Sequence, residues 1–265
     1  MTDGGKVDEP YTQKKDTKYG KAGRMSDLLV CTTSWNQTPN KCKQAVEMLE
    51  ESCGFYGLDF GMWGSGGGYN NNVGYKVRGM IDFLNTVSHP YVFFSDGWDS
   101  WMLAGEKDIL DTYHTFEKPI VLCGHQFLYP ERRIKEFGVL PSDFPEAPTR
   151  FRWICAGGFM GEREALKKAL TIVEATGIQG TDQGAWNIAF GKKQITSIAE
   201  IDYHCKLFLT MSEISQEQLY FDKEKKVVFK ETESRPMAIH FGGAKGGAPN
   251  DVNMKSFYEV WKKNR

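Results

Sequence analysis

The chain has 265 residues, a formal net charge of -1 and a sequence pI of about 6.5, with 40% hydrophobic and 25% charged residues. These values are typical of a soluble globular protein, and the near-neutral charge restricts any nucleic-acid-binding surface to a local patch. No apolar stretch reaches the roughly 18 residues of a membrane-spanning helix, and the polar N-terminus lacks the apolar centre of a secretory signal. We therefore expect a cytoplasmic protein without a membrane partner.

The first third of the chain predicts a polar tail followed by alternating strands and helices. Residues 1–25 are polar and aperiodic, which predicts a flexible tail, and residues 26–265 are expected to form a single domain. Apolar runs predict strands at 28–33 and 55–62, with a helix over 39–52 between them. A loop with three glycines at 66–68 follows, and then a helix between 75 and 87. The six cysteines show no CxxC pair or zinc-like spacing and are expected to be reduced and mostly buried.

A strand at 91–94 ends in a turn that carries two carboxylates. Asp96 and Asp99 stand three positions apart, directly after the apolar run. Carboxyl ends of strands are where α/β proteins bind ligands, and two neighbouring carboxylates repel unless a cation or a proton lies between them. A hard divalent metal that also contacts a diphosphate is a common solution. The alternative is a strand followed by a solvated Asx turn.

The fold class predicted by this alternation is α/β, a Rossmann-like domain with a mostly parallel sheet and helices on both faces. A helix over 106–116 and a strand over 120–123 continue the alternation. No GxGxxG follows the first strand and no GxxxxGK[ST] occurs, so a nicotinamide or flavin dinucleotide is not expected and a P-loop is excluded.

The second half predicts less regular elements. A strand over 151–154, a glycine-rich turn over 156–161 and a helix over 162–175 come first. Thr181 is the expected N-cap of a further helix. Short strands over 198–201 and 207–210, and a hairpin of 218–221 with 226–230, predict small antiparallel additions at the sheet edge.

A second polar cluster follows an apolar strand near the C-terminus. The strand ends in His240, and Gly242 and Gly243 lead to Lys245. A neutral imidazole can join two aspartates on one metal, and a lysine can bind a phosphate. The alternative is a structural histidine at a strand end.

Six short motifs, each weak alone, occur in a fixed order between residues 27 and 250. They are Gly66-Gly67-Gly68 with Lys76-Val77-Arg78, Phe94-Ser95-Asp96-Gly97-Trp98-Asp99, Ala156-Gly157-Gly158-Phe159-Met160-Gly161, Thr181-Asp182-Gln183, Ile201-Asp202-Tyr203-His204-Cys205-Lys206-Leu207-Phe208 and His240-Phe241-Gly242-Gly243-Ala244-Lys245. As an ordered set they resemble the glycosyltransferase domain of the procollagen lysyl hydroxylase family, to which some bacteriophage DNA glycosyltransferases are similar. The resemblance implies a GT-A fold, a UDP-sugar donor and a manganese or magnesium ion.

The resemblance also implies roles for individual residues. Asp96, Asp99 and His240 would bind the metal. Asp182, Asp99 and Lys245 would take part in catalysis, with Asp182 facing the sugar or the acceptor. The residues expected to bind the nucleotide sugar are Thr32, Trp63, Gly67, Gly68, Lys76, Asp96, Gly97, Gly243 and Lys245. Ordinary alternatives exist for Asp182, as a first-turn acid of a helix, and for Trp63, as a packed core residue.

The chain departs from the family where Cys155-Ala156 replaces Asn-Ser and where only Asp182 remains of a longer acidic run.

The favoured acceptor is a hydroxymethylated pyrimidine in DNA, because a domain with neither an export signal nor an oxygenase domain suits a cytosolic acceptor. If the chain is viral, this acceptor would be in the host cytoplasm. Five pairs of basic residues could contact phosphates; they are Arg132-Arg133, Lys167-Lys168, Lys192-Lys193, Lys225-Lys226 and Lys262-Lys263. The alternatives are a hydroxylysine in a collagen-like protein and a non-catalytic module that binds sugar nucleotides or glycans. The donor sugar, the stereochemistry and the oligomeric state do not follow from the sequence.

Overall fold

The computed structural model describes residues 26–33, 46–64, 73–242 and 248–265. The strands are, in chain order, β1 (Leu28–Thr33), β2 (Asp59–Trp63), β3 (Tyr91–Ser95), β4 (Ser100–Met102), β5 (Ile120–His125), β6 (Trp153–Glu162), β7 (Ala199–Asp202), β8 (Phe208–Thr210), β9 (Leu219–Phe221), β10 (Val227–Phe229) and β11 (Ala238–His240). The helices are α1 (Glu47–Tyr56), α2 (Gly79–Leu84), α3 (Glu106–Tyr113), α4 (Glu131–Glu136), α5 (Arg163–Glu174), α6 (Asp182–Gly191) and α7 (Ala248–Asn264). A π-helical turn, Val73–Arg78, leads into α2.

The main sheet has six strands in the order β2-β1-β3-β6-β5-β7. All neighbours are parallel except β6, which runs antiparallel to both β3 and β5. A second sheet of three strands, in the order β4-β11-β8, packs on the main sheet, and β9 with β10 forms a hairpin. The mixed α/β fold with a mostly parallel sheet agrees with the sequence prediction.

The core divides into three clusters around the two sheets. One face of the main sheet packs on α2, α5 and α6, which supply Met80, Leu170 and Trp186. The other face packs on α1, α3 and the second sheet. The third cluster lies beyond the second sheet, where Trp101 and Phe241 meet Trp261 of α7. Helices therefore cover both faces of the main sheet, as predicted.

The predicted turn over 156–161 is wrong, because these residues continue β6. The glycines serve close packing instead of chain reversal. A side chain on Gly158 would come within 2.6 Å of the Phe208 ring, and one on Gly161 within 2.5 Å of the Pro119 carbonyl. Neighbouring elements therefore lie too close to this strand for any residue larger than glycine.

Two further boundaries differ from the prediction. Helix α1 extends past residue 52 to Tyr56, where Gly57 closes it in the left-handed conformation (φ 66°), so the strand predicted from 55 begins only at Asp59. The start of the predicted helix, 39–45, lies outside the described residues. Strand β7 joins the main sheet parallel to β5, and β8 pairs parallel with β11, so neither is an antiparallel addition. Outside the main sheet, the antiparallel strand pairs among the described residues are β4 with β11 and the predicted hairpin β9–β10.

In the described part of the chain, no helix is long and apolar enough to cross a membrane. Five of the six cysteines are described, and all five are buried free thiols, as expected.

Candidate active site

Two aspartates follow β3 at the edge of the main sheet. Because β1, β2 and β3 run parallel, their carboxyl ends lie at the same edge. Backbone pairing with β6 continues one residue beyond β3, since the Asp96 amide donates to the Gly157 carbonyl at 2.9 Å. The turn then runs directly into β4, so Asp99 immediately precedes the second sheet.

His240 reaches both aspartates through the register of the second sheet. It pairs with Ser100 across β11 and β4, and the Phe241 amide donates to the Asp99 carbonyl at 2.7 Å. The Nε2 atom of His240 lies 3.1 Å from Oδ1 of Asp99 and 3.8 Å from Oδ2 of Asp96. The structure therefore brings together the three side chains expected to bind a metal.

The imidazole of His240 is held in place from several sides. A side chain on Gly157 would come within 2.2 Å of its Cε1 atom, and one on Gly242 within 2.7 Å. The Cys155 sulfur lies 3.7 Å from Nδ1. Burial lowers the pKa of His240, but the Asp99 carboxylate beside Nε2 and the contact with Cys155 raise it well above its usual range.

Lys76 lies between two carboxylates. Its Nζ atom is 2.8 Å from Oδ1 of Asp96, donates to the Ala156 carbonyl at 3.0 Å, and lies 4.8 Å from the centre of the Phe94 ring. The 2.7 Å contact with Oδ2 of Asp182 is an ion pair, not a well-directed hydrogen bond. Although burial lowers the pKa of Lys76, the two carboxylates raise it above its usual value, so this lysine stays charged.

Asp96 experiences opposing influences on its pKa. Burial raises the pKa, the charges of Lys76 and His240 lower it, and the other two carboxylates, Asp99 and Asp182, raise it, with a net upward shift. A raised pKa marks a carboxylate whose surroundings do not fully compensate its charge.

Asp182 is the first residue of α6 and is almost fully buried. The predicted N-cap is confirmed, since the Thr181 hydroxyl accepts from the Gly184 amide at 3.0 Å. The cap fixes the start of the helix, and the ion pair with Lys76 aims the Asp182 carboxylate at the same edge as Asp96.

Thr32 and Gly97 contact each other at this edge. A side chain on Gly97 would come within 2.9 Å of the Thr32 hydroxyl oxygen and within 2.6 Å of Val46, so only glycine fits in the turn. The Thr32 hydroxyl is buried and has no hydrogen-bond partner among the described residues.

Trp63 was expected to bind the nucleotide, and the structure instead favours the alternative of core packing. Its ring stacks on Phe83 with centroids 5.2 Å apart and also contacts Phe94 at 5.7 Å. Its indole nitrogen faces Gly79, where an added side chain would come within 2.7 Å. With Phe83 stacked on it and only 7% of its surface exposed, this ring is part of the core.

Four expected site residues, Gly67, Gly68, Gly243 and Lys245, lie outside the described residues. Among the described residues, no group of three or more His, Cys, Asp and Glu side chains could hold a metal ion as it stands. The chemistry of Asp96, Asp99 and His240 nevertheless suits a hard divalent cation. An imidazole nitrogen binds a metal only when it carries no proton, so a cation would compete with the His240–Asp99 ion pair.

Sequence reasoning missed the position of Lys76 between two acids. Lys76 and Met80 stand four residues apart, and both are buried. A lysine on the apolar face of a predicted helix needs a carboxylate partner, and this signal was available. Cys155, which contacts His240, carried no comparable signal, because a single cysteine on a strand has no pattern.

Comparisons with known proteins identify the family of the chain. Residues 25–258 match the family model described as PLOD GT domain. Procollagen-lysine,2-oxoglutarate 5-dioxygenase 1 from Rattus norvegicus is 23% identical over 190 residues, which are 69% of this chain and 25% of that protein. The Homo sapiens protein of the same name is 22% identical over 197 residues, 71% of this chain and 26% of that protein. The chain thus spans about a quarter of the length of these relatives.

A solved structure is similar in fold. It is a glycosyltransferase involved in the glycosylation of the major capsid of PBCV-1, which aligns with 88% of this chain and 98% of its own at a TM-score of 0.50 and 11% identity. At that identity, the similarity concerns the fold alone. Since the family model matches most of the chain, the protein belongs to the PLOD GT domain family and is a glycosyltransferase.

Proposed function

We propose that this glycosyltransferase uses a UDP-sugar donor and a divalent cation, Mn²⁺ or Mg²⁺, and transfers the sugar to a hydroxyl group of a hydroxylated lysine. The observation that carries the proposal is the convergence of Asp96, Asp99 and His240. With Asp182, the cluster holds three carboxylates and one lysine, which pairs with Asp96 and Asp182, so it has excess negative charge when His240 is neutral. Such a cluster favours a bound cation.

Each residue of the site would have a separate role in the transfer of the sugar. Asp96, Asp99 and His240 would hold the cation, whose charge, when bound, stabilises the negative charge that develops on the departing diphosphate. Lys76 holds Asp96 and Asp182 in fixed positions. Asp182, at the same edge, would face the sugar or the acceptor, as carboxylates do in glycosyl chemistry. The unsatisfied Thr32 hydroxyl would hydrogen-bond the nucleotide.

The surface argues for a polypeptide acceptor over DNA. One member of each basic pair already has a partner within the protein. Lys193 donates to the Asp143 carbonyl. The other four form ion pairs, which are Arg132 with Glu136, Lys167 with Glu164, Lys226 with Asp108 and Lys262 with Glu51. These basic pairs lie on separate elements of the described chain, and none of those elements carries two of them. The curated relatives are named for procollagen lysine, which supports hydroxylysine.

The test is mass spectrometry of two acceptors after incubation with a panel of UDP-sugars and Mn²⁺. One acceptor is a hydroxylysine-containing collagen-like peptide, and the other is DNA that contains hydroxymethylcytosine or hydroxymethyluracil. We expect a hexose-sized mass increase on the peptide that disappears with EDTA and returns with added Mn²⁺. Product on the DNA alone would refute the acceptor, activity unaffected by EDTA would refute the cation, and the absence of any UDP-sugar turnover would refute the donor.

A further inference from the structure

His125 ends β5 at the same edge of the sheet as the aspartate turn. Strands β3 and β5 both run antiparallel to β6, which lies between them, so β3 and β5 point the same way. Their carboxyl ends, which carry Asp96 and His125, therefore lie at one edge. His125 faces Trp153 across the β5–β6 pair and is only 8% exposed.

One nitrogen of the His125 ring, Nδ1, forms a hydrogen bond with the backbone. Nδ1 lies 2.9 Å from the Phe127 carbonyl oxygen and 3.1 Å from the Phe127 amide nitrogen. The carbonyl accepts from Nδ1 in one tautomer, and the amide donates to Nδ1 in the other. Both tautomers are thus satisfied, and in the first of them Nε2 presents a free lone pair. Within the described part of the chain, Nε2 has no hydrogen-bond partner.

The surroundings of His125 connect it to the His240 cluster. His125 pairs with Trp153 of β6, and two residues further along the same strand the Cys155 sulfur lies 3.7 Å from Nδ1 of His240. The adjacent Gln126 donates to the Ser212 carbonyl. Ser212 in turn donates to the Gly242 carbonyl at 3.2 Å, two residues after His240. The loop after β5 is therefore tied to the strand that carries His240.

The loop after β5 also exposes aromatic surface. Phe127 is 44% exposed and Tyr129 is 55% exposed, although both belong to residue types that are usually buried. An imidazole that is buried but free at one nitrogen therefore lies beside the open Phe127 ring, with the two ring centres 5.8 Å apart. Such a combination suits a long side chain that ends in a hydroxyl group, because rings can contact the methylene groups while the imidazole binds the hydroxyl.

We propose that His125 is an acceptor-binding residue, whose Nε2 accepts a hydrogen bond from the hydroxyl group that receives the sugar. This inference rests on the proposed glycosyl transfer and adds a residue on the acceptor side, opposite the nucleotide side formed by Thr32 and Asp96. It assigns His125 to orienting the acceptor, not to holding the donor.

Two substitutions of His125 distinguish the role of Nδ1 from that of Nε2. His125→Asn keeps polar atoms near the position of Nδ1 and removes Nε2, whereas the longer His125→Gln places a polar atom near the position of Nε2. The matched control is His114→Asn, because His114 is an exposed histidine at the end of α3. The assays are sugar transfer to the hydroxylysine peptide and UDP-sugar hydrolysis without acceptor.

In His125→Asn we expect kcat/KM for the peptide to fall about tenfold more than the rate of hydrolysis, consistent with the loss of one good hydrogen bond. His125→Gln should recover part of the loss, and His114→Asn should behave like the wild type. An equal fall in transfer and hydrolysis, or no fall at all, would overturn the inference. If the wild type neither transfers nor hydrolyses any UDP-sugar, the proposed function itself fails, which is a separate result.

Discussion

The Nε2 atom of His240 lies 3.1 Å from Oδ1 of Asp99, although one residue ends β11 and the other follows β3. Backbone pairing makes this contact, since the Phe241 amide donates to the Asp99 carbonyl. The two side chains therefore meet because the aspartate turn opens directly into β4, whose partner is β11.

We expect Asp99→Asn to reduce sugar transfer by about 100-fold or more, because an amide supplies no charge to a divalent cation. The shape of the side chain is kept but its ion pair with His240 is lost, so the protein should stay folded with a lower melting temperature. The matched control is Asp111→Asn, whose carboxylate is exposed and, among the described residues, forms its ion pair with Lys107. The measurements are initial rates at saturating donor and Mn²⁺ affinity by isothermal titration calorimetry; unchanged Mn²⁺ affinity would contradict the metal assignment.

Gly157→Ala should reduce activity more than tenfold through displacement of His240. The added methyl group would come within 2.2 Å of Cε1, so the ring must move, at a cost of about 1–3 kcal/mol in the free energy of unfolding. Gly54→Ala is the control, because nothing lies within 4 Å of its added methyl group inside α1. It should raise the free energy of unfolding by about 0.5–1 kcal/mol and leave activity unchanged. Equal activity in the two variants would refute this role of Gly157.

Lys76→Met should lower the free energy of unfolding by about 3 kcal/mol, because it leaves Asp96 and Asp182 without their shared cation. The double variant Lys76→Met/Asp182→Asn removes one of the two stranded charges. It should therefore be more stable than Lys76→Met alone, and chemical denaturation measures the difference. If Asp182→Asn lowers the free energy of unfolding of Lys76→Met by as much as it lowers that of the wild type, the two residues are not coupled.

Glu51 should contribute to the dependence of stability on pH. Burial raises the pKa of Glu51, but hydrogen bonds from Tyr258, Lys262 and Arg265 of the C-terminal segment lower it more, to below its usual 4.5. A depressed folded-state pKa gives stability that is present above pH 4.5 and is lost as the pH falls through the folded-state value. We expect Glu51→Gln to cost about 1 kcal/mol at pH 7, a value discounted for partial exposure, and less at pH 3. Urea unfolding at both pH values tests this, and an equal cost at each would contradict it.

The sequence predicted the parts of the site that depend on local pattern. Asp96 and Asp99 follow an apolar run, and Thr181 stands before a helix, so both could be placed without knowledge of the topology. The direction of β6 could not be predicted, because its glycines indicate a turn locally and are required only by the packing of Phe208 and Pro119 against the strand.

Contacts between segments that are distant in the sequence also could not be predicted from local sequence patterns. The ion pair of Lys76 with Asp182 depends on how α6 packs beside the turn before α2. Helix α7 was not predicted, because its apolar side is defined by the aromatic cluster around Trp101 and not by its own spacing.

The glycines on either side of the His240 ring restrict which residues relatives of this chain can have at positions 157, 240 and 242. Gly157 and Gly242 leave no room for a side chain while a histidine occupies position 240. A relative that keeps the histidine must therefore keep both glycines, whereas a relative with a smaller residue at position 240 is free to vary them. Aligned members of the family should show these three positions changing together.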